Sequence, residues 1–292
     1  MKKKHKIILI VIVVIIVVAV GNWAFYSIVY NLSTSISLRD NSIDEEKTII
    51  ILKSGNRWCW DTGSTGSVLF RDIEHKRLRV GYSWNIDSEN TKKRHKTFFT
   101  KMLSIDSILF ENFIYEYIDS SNTSMSLRDS DIIGLLGMNV IKNYNWLLDF
   151  HKNTLQNYDK DFQIDTLTPK FIISYSEERK PLTDIRLGYL RIKKILLDSG
   201  FSGDMMLYGS DIEVMNQFIT PDTIINDISS NLYSDSIPVK RYIYYDVYVN
   251  NLLFDKLIIN EGKRRLIGAG FFRKFDRVFW DSGSKEVRFY RD

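Results

Sequence analysis

One series of features occurs twice in this chain, and that repetition limits its possible folds more than any other property. In the first copy a strand-like stretch with a turn at Ser54-Gly55-Asn56 runs through Trp58-Cys59-Trp60 into Asp61-Thr62-Gly63-Ser64. In the second, Ile192 to Leu197 runs into Asp198-Ser199-Gly200-Phe201. Another apolar run follows each triplet, Val68-Leu69-Phe70 and Met205-Met206-Leu207. Two apolar residues and a glycine come later, as Leu135-Leu136-Gly137 and Leu266-Ile267-Gly268, at Asp-to-Gly separations of 76 and 70 residues. Val140 to Asn145 and Phe271 to Asp276 then match in type position by position. Each copy closes on a strand, around Trp146 to Tyr158 and Arg277 to Tyr290.

Order and spacing carry the inference, since ordinary composition yields a lone Asp-Ser/Thr-Gly by chance in roughly one of several chains this long. Asp281-Ser282-Gly283 is such a decoy. It falls where the first copy has Asp149-Phe150-His151 and reads as a turn in the closing strand, so Asp149 and Asp281 are assigned no chemistry. Thr48 to Leu52, Thr97 to Leu103, Ser107 to Tyr117, Tyr242 to Val249 and Leu252 to Ile259 are rich in β-branched and aromatic residues and read as strands. Asn250-Asn251 reads as a hairpin turn, and short helices are expected after each apolar-Gly element and near Asp211 to Phe218.

Ahead of the doubled region, Ile7 to Val20 is wholly apolar, and that character continues past Trp23 to Tyr30. As a helix, roughly 20 such residues cross a ~30 Å hydrocarbon layer. Lys2, Lys3, Lys4 and Lys6 precede the run and predict a cytoplasmic N-terminus, with the rest of the chain outside the cytoplasm. A cleaved signal peptide ending near Ala19-Val20-Gly21 is the alternative. The expected plan is a tail at residues 1–6, a membrane anchor at 7–26, a polar stalk at 27–46, a first lobe at 47–160, a linker at 161–180 and a second lobe at 181–292.

Those lysines also account for the net charge of +4, because basic and acidic residues balance in the remainder. A balanced body gives no reason to expect a nucleic-acid partner. Cys59 is the only cysteine, which excludes an intramolecular disulfide and a zinc-finger type of cluster, and it reads as a small buried hydrophobe. His5, His75, His95 and His151 are scattered among charged residues, as expected of solvent-exposed side chains, and no metal site is predicted. No nucleophile elbow, His-Glu-x-x-His or phosphate-binding glycine loop occurs.

The paired triplets with their apolar-apolar-Gly partners resemble the aspartic peptidases of the pepsin and retropepsin kind, over about residues 47 to 292. Leu135 to Asp149 and Leu266 to Asp281 look particularly like bacterial retropepsin-like domains. The resemblance implies a mainly β, two-lobed pepsin-like acid-protease fold built from two similar halves. It implies Asp61 and Asp198 as the catalytic dyad, Thr62 and Ser199 bonding across the lobes, and Gly63 and Gly200 bringing amides to the carboxylates. Ser64 would bond the outer oxygen of Asp61, while Phe201, its counterpart, has no hydroxyl; retroviral members place alanine there. Gly137 and Gly268 would let a strand pass behind each loop, and a hairpin flap is expected at about Tyr82 to Lys101. Tyr82 or Trp84 is a possible substrate contact, with a packed strand aromatic as the alternative.

In such a site two carboxylates about 3 Å apart cannot both ionise and so hold one shared proton. Water then attacks the scissile carbonyl without a covalent intermediate. The implied activity is a membrane-anchored aspartic endopeptidase that needs no cofactor, acts on an extended peptide, and requires no dimerisation because one chain supplies both loops. A non-catalytic peptide-binding module on the same fold is the main alternative. A glycosidase, whose carboxylates sit at least ~5 Å apart, is a distant third.

Overall fold

The computed structural model describes every residue except 1, 39–40, 45–47, 53, 74, 107, 129–130, 165–167, 177–178 and 292, and divides the chain into two compact units, residues 1–33 and 34–292. The first unit is a helix, Lys2–Asn31. It is apolar on every side, unlike the one-sided stripe of a helix lying on a soluble core. Its Val11–Val29 portion, 19 residues of mean hydropathy 2.4, is long and apolar enough to cross a membrane. The helix overruns the predicted 7–26 segment at both ends because no proline interrupts the hydrogen-bond ladder before the polar stretch that follows Asn31.

The second unit is mainly β and two-lobed, with a nine-stranded sheet in the first lobe, a seven-stranded sheet in the second and a five-stranded sheet shared by both. The sequence repeat is a topological repeat. Arg57–Trp60 pairs in parallel with Ile132–Leu136, as Leu190–Asp198 does with Leu266–Gly268. Ser67–Leu69 lies antiparallel to Ile132–Leu136 and parallel to Ile108–Tyr117, and Met205–Leu207 repeats both relationships with Leu266–Gly268 and Leu252–Glu261. Parallel neighbours need a long connection, which is why about 70 residues separate each Asp triplet from its apolar-Gly partner.

The closing strands join the halves. Asn145–Asp149 pairs antiparallel with Arg277–Asp281, setting Trp146 opposite Trp280 and Asp149 opposite Arg277. Trp60, one residue before the first Asp, packs between these two indoles at 6.0 Å from Trp146 and 5.6 Å from Trp280, all three fully buried. Aromatic packing of this kind adds roughly 0.5–1.5 kcal/mol per pair beyond area burial. The floor under the loops is therefore rigid. Asp149 and Asp281 have the turn role expected of them, accepting from Lys152 N (2.9 Å) and Ser284 N (2.9 Å).

Three expectations about the chain's organisation need correction. Within the predicted stalk, Ser35–Leu38 pairs with the strand Ile108–Tyr117 and Asn41–Ile43 pairs with Ile49–Leu52, so this stretch belongs to the first lobe. Its polar composition hides two buried anchors, Ile36 and Ile43, and the sheet edge satisfies its backbone. The expected boundary between stalk and lobe at residue 46 lies outside the described residues. Within the predicted linker, Phe171–Ser174 forms the edge strand of the shared sheet against Glu286–Tyr290. Finally, His75 and His95 are only partly exposed, bonded to the hydroxyls of Tyr115 (2.8 Å) and Tyr233 (2.9 Å), whereas His151 is exposed as predicted.

Candidate active site

Asp61 and Asp198 meet where the two lobes face each other. Each stands at the end of a strand whose next residues turn sharply, and each loop is braced from behind by its apolar-Gly strand. In the first lobe Asp61 N donates to Leu136 O (2.9 Å) and Met138 N to Ser64 O (2.8 Å). In the second, Ala269 N donates to Phe201 O (2.7 Å) and Gly268 N to Asp204 O (2.9 Å). Gly137 and Gly268 have the structural place expected of them, since a Cβ at either would collide with the backbone carbonyls of the loop in front.

The residues after the aspartates knit the loops together. Thr62 Oγ1 donates to Leu197 O (2.8 Å) and accepts from Ser199 N (3.0 Å). Ser199 Oγ donates to Trp60 O (2.6 Å) and accepts from Thr62 N (3.0 Å). Both side chains are buried, so every one of these groups would otherwise lack a partner. Thr48 Oγ1 adds a bond to Ser199 O (2.6 Å).

Gly63 N and Ser64 N donate to Asp61 Oδ1 (2.9 and 3.1 Å), and Gly200 N to Asp198 Oδ1 (3.1 Å). The glycines have a second reason to be there. A Cβ on Gly63 would fall inside the Asp198 carboxyl, and one on Gly200 would lie 2.7 Å from Asp61 Cγ. Only a residue without a side chain lets each loop pass the opposite carboxylate. Ser64 departs from expectation: its amide bonds Asp61, but its hydroxyl donates to Gly66 O (2.7 Å), the nearer acceptor within its own turn.

The carboxyls are close enough that each perturbs the other's ionisation. Burial, followed by the negative charge of Asp198, pushes Asp61 up to about 8, against the opposing pull of the Ser64 and Gly63 amides. Burial also raises Asp198, but the amides of Gly200 and Phe201, the positive Arg264 and the Asp61 carboxyl oppose it. The pair thus shares one proton, and the donors and positive charge around Asp198 make it the stronger acid of the two.

A cavity of about 300 Å³ opens over the dyad, and Cys59, Phe70, Arg264 and Phe201 are on its walls. Cys59 is half-buried on this wall rather than enclosed in the core. A hairpin of Leu78–Ile86 and Lys92–Ile105 forms the expected flap. Its cavity-lining residues are Asn85, Ile86, Asp87 and Ser88, whereas Tyr82 and Trp84 do not line the cavity. Those two aromatics are 46% and 61% exposed, so they are not packed core. Arg94 lies over the Tyr82 ring and Lys92 over Trp84. A register shift between Arg79 and Gly81, where Gly81 has a φ of +153°, affects which residues turn inward, and that glycine is its one mark in the sequence. A depression of about 540 Å³ at Tyr144, Tyr158 and Phe162 includes neither Asp loop. Among the described residues no three His, Cys, Asp or Glu side chains converge as metal ligands would.

No protein-family model matches the chain, and no curated protein sequence matches it either. Among solved structures, Basic 7S globulin from soybean is similar at a TM-score of 0.49 and 9% identity, over 89% of this chain and 95% of that one.

Two sets of residues at the site escaped the sequence reading. Arg264 stands two positions before Leu266, and its guanidinium donates to Asn90 Oδ1 (3.3 Å) and Ile86 O (3.4 Å) at the flap tip. Ser229 to Leu232, from the second lobe, lines the same cavity as the aspartates. Neither belongs to a repeated motif, because the first lobe has no counterpart of either in sequence. Beneath the flap, burial raises Glu116, while the neighbouring polar side chains of Ser83 and Asn85 pull the other way.

Proposed function

We propose that this chain is a membrane-anchored aspartic endopeptidase of the pepsin and retropepsin kind, its N-terminus cytoplasmic and its two-lobed domain outside. The observation that carries the proposal is the reciprocal exchange of hydrogen bonds between two symmetric Asp-Thr/Ser-Gly loops, which brings two half-buried carboxyls together on one cavity. Support for the anchor is the Val11–Val29 helix segment behind a lysine-rich start.

The protonation pattern assigns the roles. A water held between the carboxyls loses a proton to ionised Asp198 as its oxygen attacks the scissile carbonyl carbon. Asp61 gives its proton to the carbonyl oxygen, yielding a neutral gem-diol. In collapse, Asp198 returns the proton it took to the departing amide nitrogen while Asp61 recovers one from a gem-diol hydroxyl. The C–N bond breaks and the dyad is restored to its starting state. Because both loops come from one chain, no second copy is needed to assemble the pair. An extended peptide would lie between the lobes with its backbone against the flap strand Leu78–Ile86.

The test is digestion of a peptide library by the full-length chain in mild detergent, alongside Asp61→Asn and Asp198→Asn. Each substitution is expected to lower cleavage by about 10²–10⁴-fold. Equal cleavage by either variant overturns the dyad. A wild type that binds peptides and cuts none between about pH 3 and 8 replaces the enzyme with a binding module.

A further inference from the structure

The second lobe carries a hairpin at the place of the flap, made of Thr223–Ser229 and Ile237–Val249. Its distal half is a ribbon of two strands only. Pairing with the next strand of the sheet begins at Arg241, so Ile237 to Lys240 pairs with the outer strand alone. All six residues from Thr223 to Ile228 are exposed, Ile224 and Ile228 at 54% and 64%. From Ile237 to Lys240 on the inner strand only Val239 is buried, and a two-stranded ribbon with so little core contact is marginal in water, so its own lobe holds this arm weakly.

What holds it is the other lobe. Leu232 packs against Val68, Phe70 and Ile118 on the first lobe, and its carbonyl accepts from Ser124 N (3.0 Å). The Tyr233 hydroxyl bonds His95 Nε2 (2.9 Å). Asp235 accepts from Met125 N (2.6 Å) and Ser126 N (2.8 Å), and Asn231 Nδ2 donates to Asp87 Oδ2 at the flap tip (2.9 Å). In the opposite direction the flap tip is tied to the second lobe, with Glu89 paired to Lys263 at 2.9 Å. The arm tip and the flap tip thus close over the carboxyls from opposite sides, leaving a cavity of about 300 Å³. An extended peptide advances about 3.3 Å per residue and must leave the cleft at both ends.

We propose that the 230–236 tip is a gate, latched shut on the first lobe in this structure, and that peptides enter only when it lifts and Leu232 leaves the cleft wall. The inference rests on the peptide-cleft reading above and adds its regulation. The latch consists of a few hydrogen bonds, the Leu232 side chain and the Tyr233 ring stacked on His95 beneath Lys93, an amount that thermal opening on the timescale of lids can overcome. A substrate competes with the chain's own Leu232 for the same wall, and the fraction of open molecules scales the apparent affinity.

The test joins the tips reversibly. Asn231 Nδ2 lies 3.4 Å from Ser88 Oγ, so Ser88→Cys with Asn231→Cys places two thiols within reach of a disulfide. In the full-length chain, the oxidised protein is expected to cut peptides at least about tenfold more slowly than the same protein reduced, and to bind a non-cleavable hydroxyethylene peptide correspondingly weakly. Tyr233→Phe with Asp235→Asn, which loosens the latch, is expected to lower KM about three- to tenfold with kcat unchanged. Equal cleavage or binding by oxidised and reduced protein overturns the gate and leaves the peptidase reading standing, as does an unchanged KM in the loosened variant. If the reduced protein binds peptides and cuts none, the peptidase reading fails, and the gate is decided by whether oxidation weakens binding. A reduced protein that neither cuts nor binds any peptide removes both.

Discussion

The hydroxyls of Thr62 and Ser199 lie 3.3 Å apart in the interior, 137 residues apart in sequence, and each accepts the amide N–H of the other's residue. Each also donates to the carbonyl of the residue just before the opposite aspartate, Leu197 or Trp60. The carboxyls are held face to face by this exchange.

Replacing either hydroxyl leaves buried amide and carbonyl groups without partners. Thr62→Val and Ser199→Ala are each expected to destabilise the domain by about 1–3 kcal/mol and to lower kcat/KM, whereas Thr62→Ser restores both. Chemical denaturation and peptide-cleavage kinetics on the three variants check this. A Thr62→Val protein as stable and active as wild type would show that the exchange is incidental.

The rate should depend on pH as a bell. Activity needs Asp198 ionised and Asp61 protonated, so it falls on the acid side as Asp198 takes a proton. On the alkaline side it falls with an apparent pKa of about 8, the value to which burial and the Asp198 charge push Asp61. A kcat/KM profile whose alkaline limb lies well below 7 contradicts the assignment of the proton to Asp61.

Arg264 carries the positive charge that opposes the rise of Asp198. Removing that charge disfavours the ionised carboxylate, so Arg264→Gln is expected to move the acid limb of the profile to higher pH. Arg264→Lys keeps the charge and should keep the limb near its place. An acid limb that stays still in the glutamine variant would remove Arg264 from the electrostatics of the dyad.

Stability should also depend on the dyad. Asp61 holds its proton more tightly in the folded chain than in the unfolded one, about 8 against 3.8. The native state therefore binds more protons than the unfolded state between those values, and stability from this group, full below 3.8, is lost as pH rises through about 8. Asp61→Asn lacks that dependence, so its melting temperature relative to wild type should climb from pH 4 to pH 9, by about 2–4 °C for each kcal/mol. Thermal unfolding at the two pH values reads it directly.

The sequence by itself determined the doubled plan. Asp61, Asp198, their Ser/Thr-Gly partners, Gly137 and Gly268 were legible because they sit in a repeated order, and a repeat needs no knowledge of packing to be seen. The apolar N-terminal run was legible for a similar reason, its length and composition being local properties. Tertiary structure alone decided which residues enclose the site. A register shift near Gly81 turned Tyr82 and Trp84 outward and Asn85 to Ser88 over the carboxyls. Sheet edges recruited Ser35–Leu38 from a polar, serine-rich stretch and Phe171–Ser174 from between the two repeated halves, where no copy of the repeat marks a strand. Arg264 and the 229–232 segment reached the cavity only through the docking of one lobe on the other. Such placements follow from long-range pairing and register, and a strand displaced by one residue exposes the opposite face, so local pattern could not have specified them.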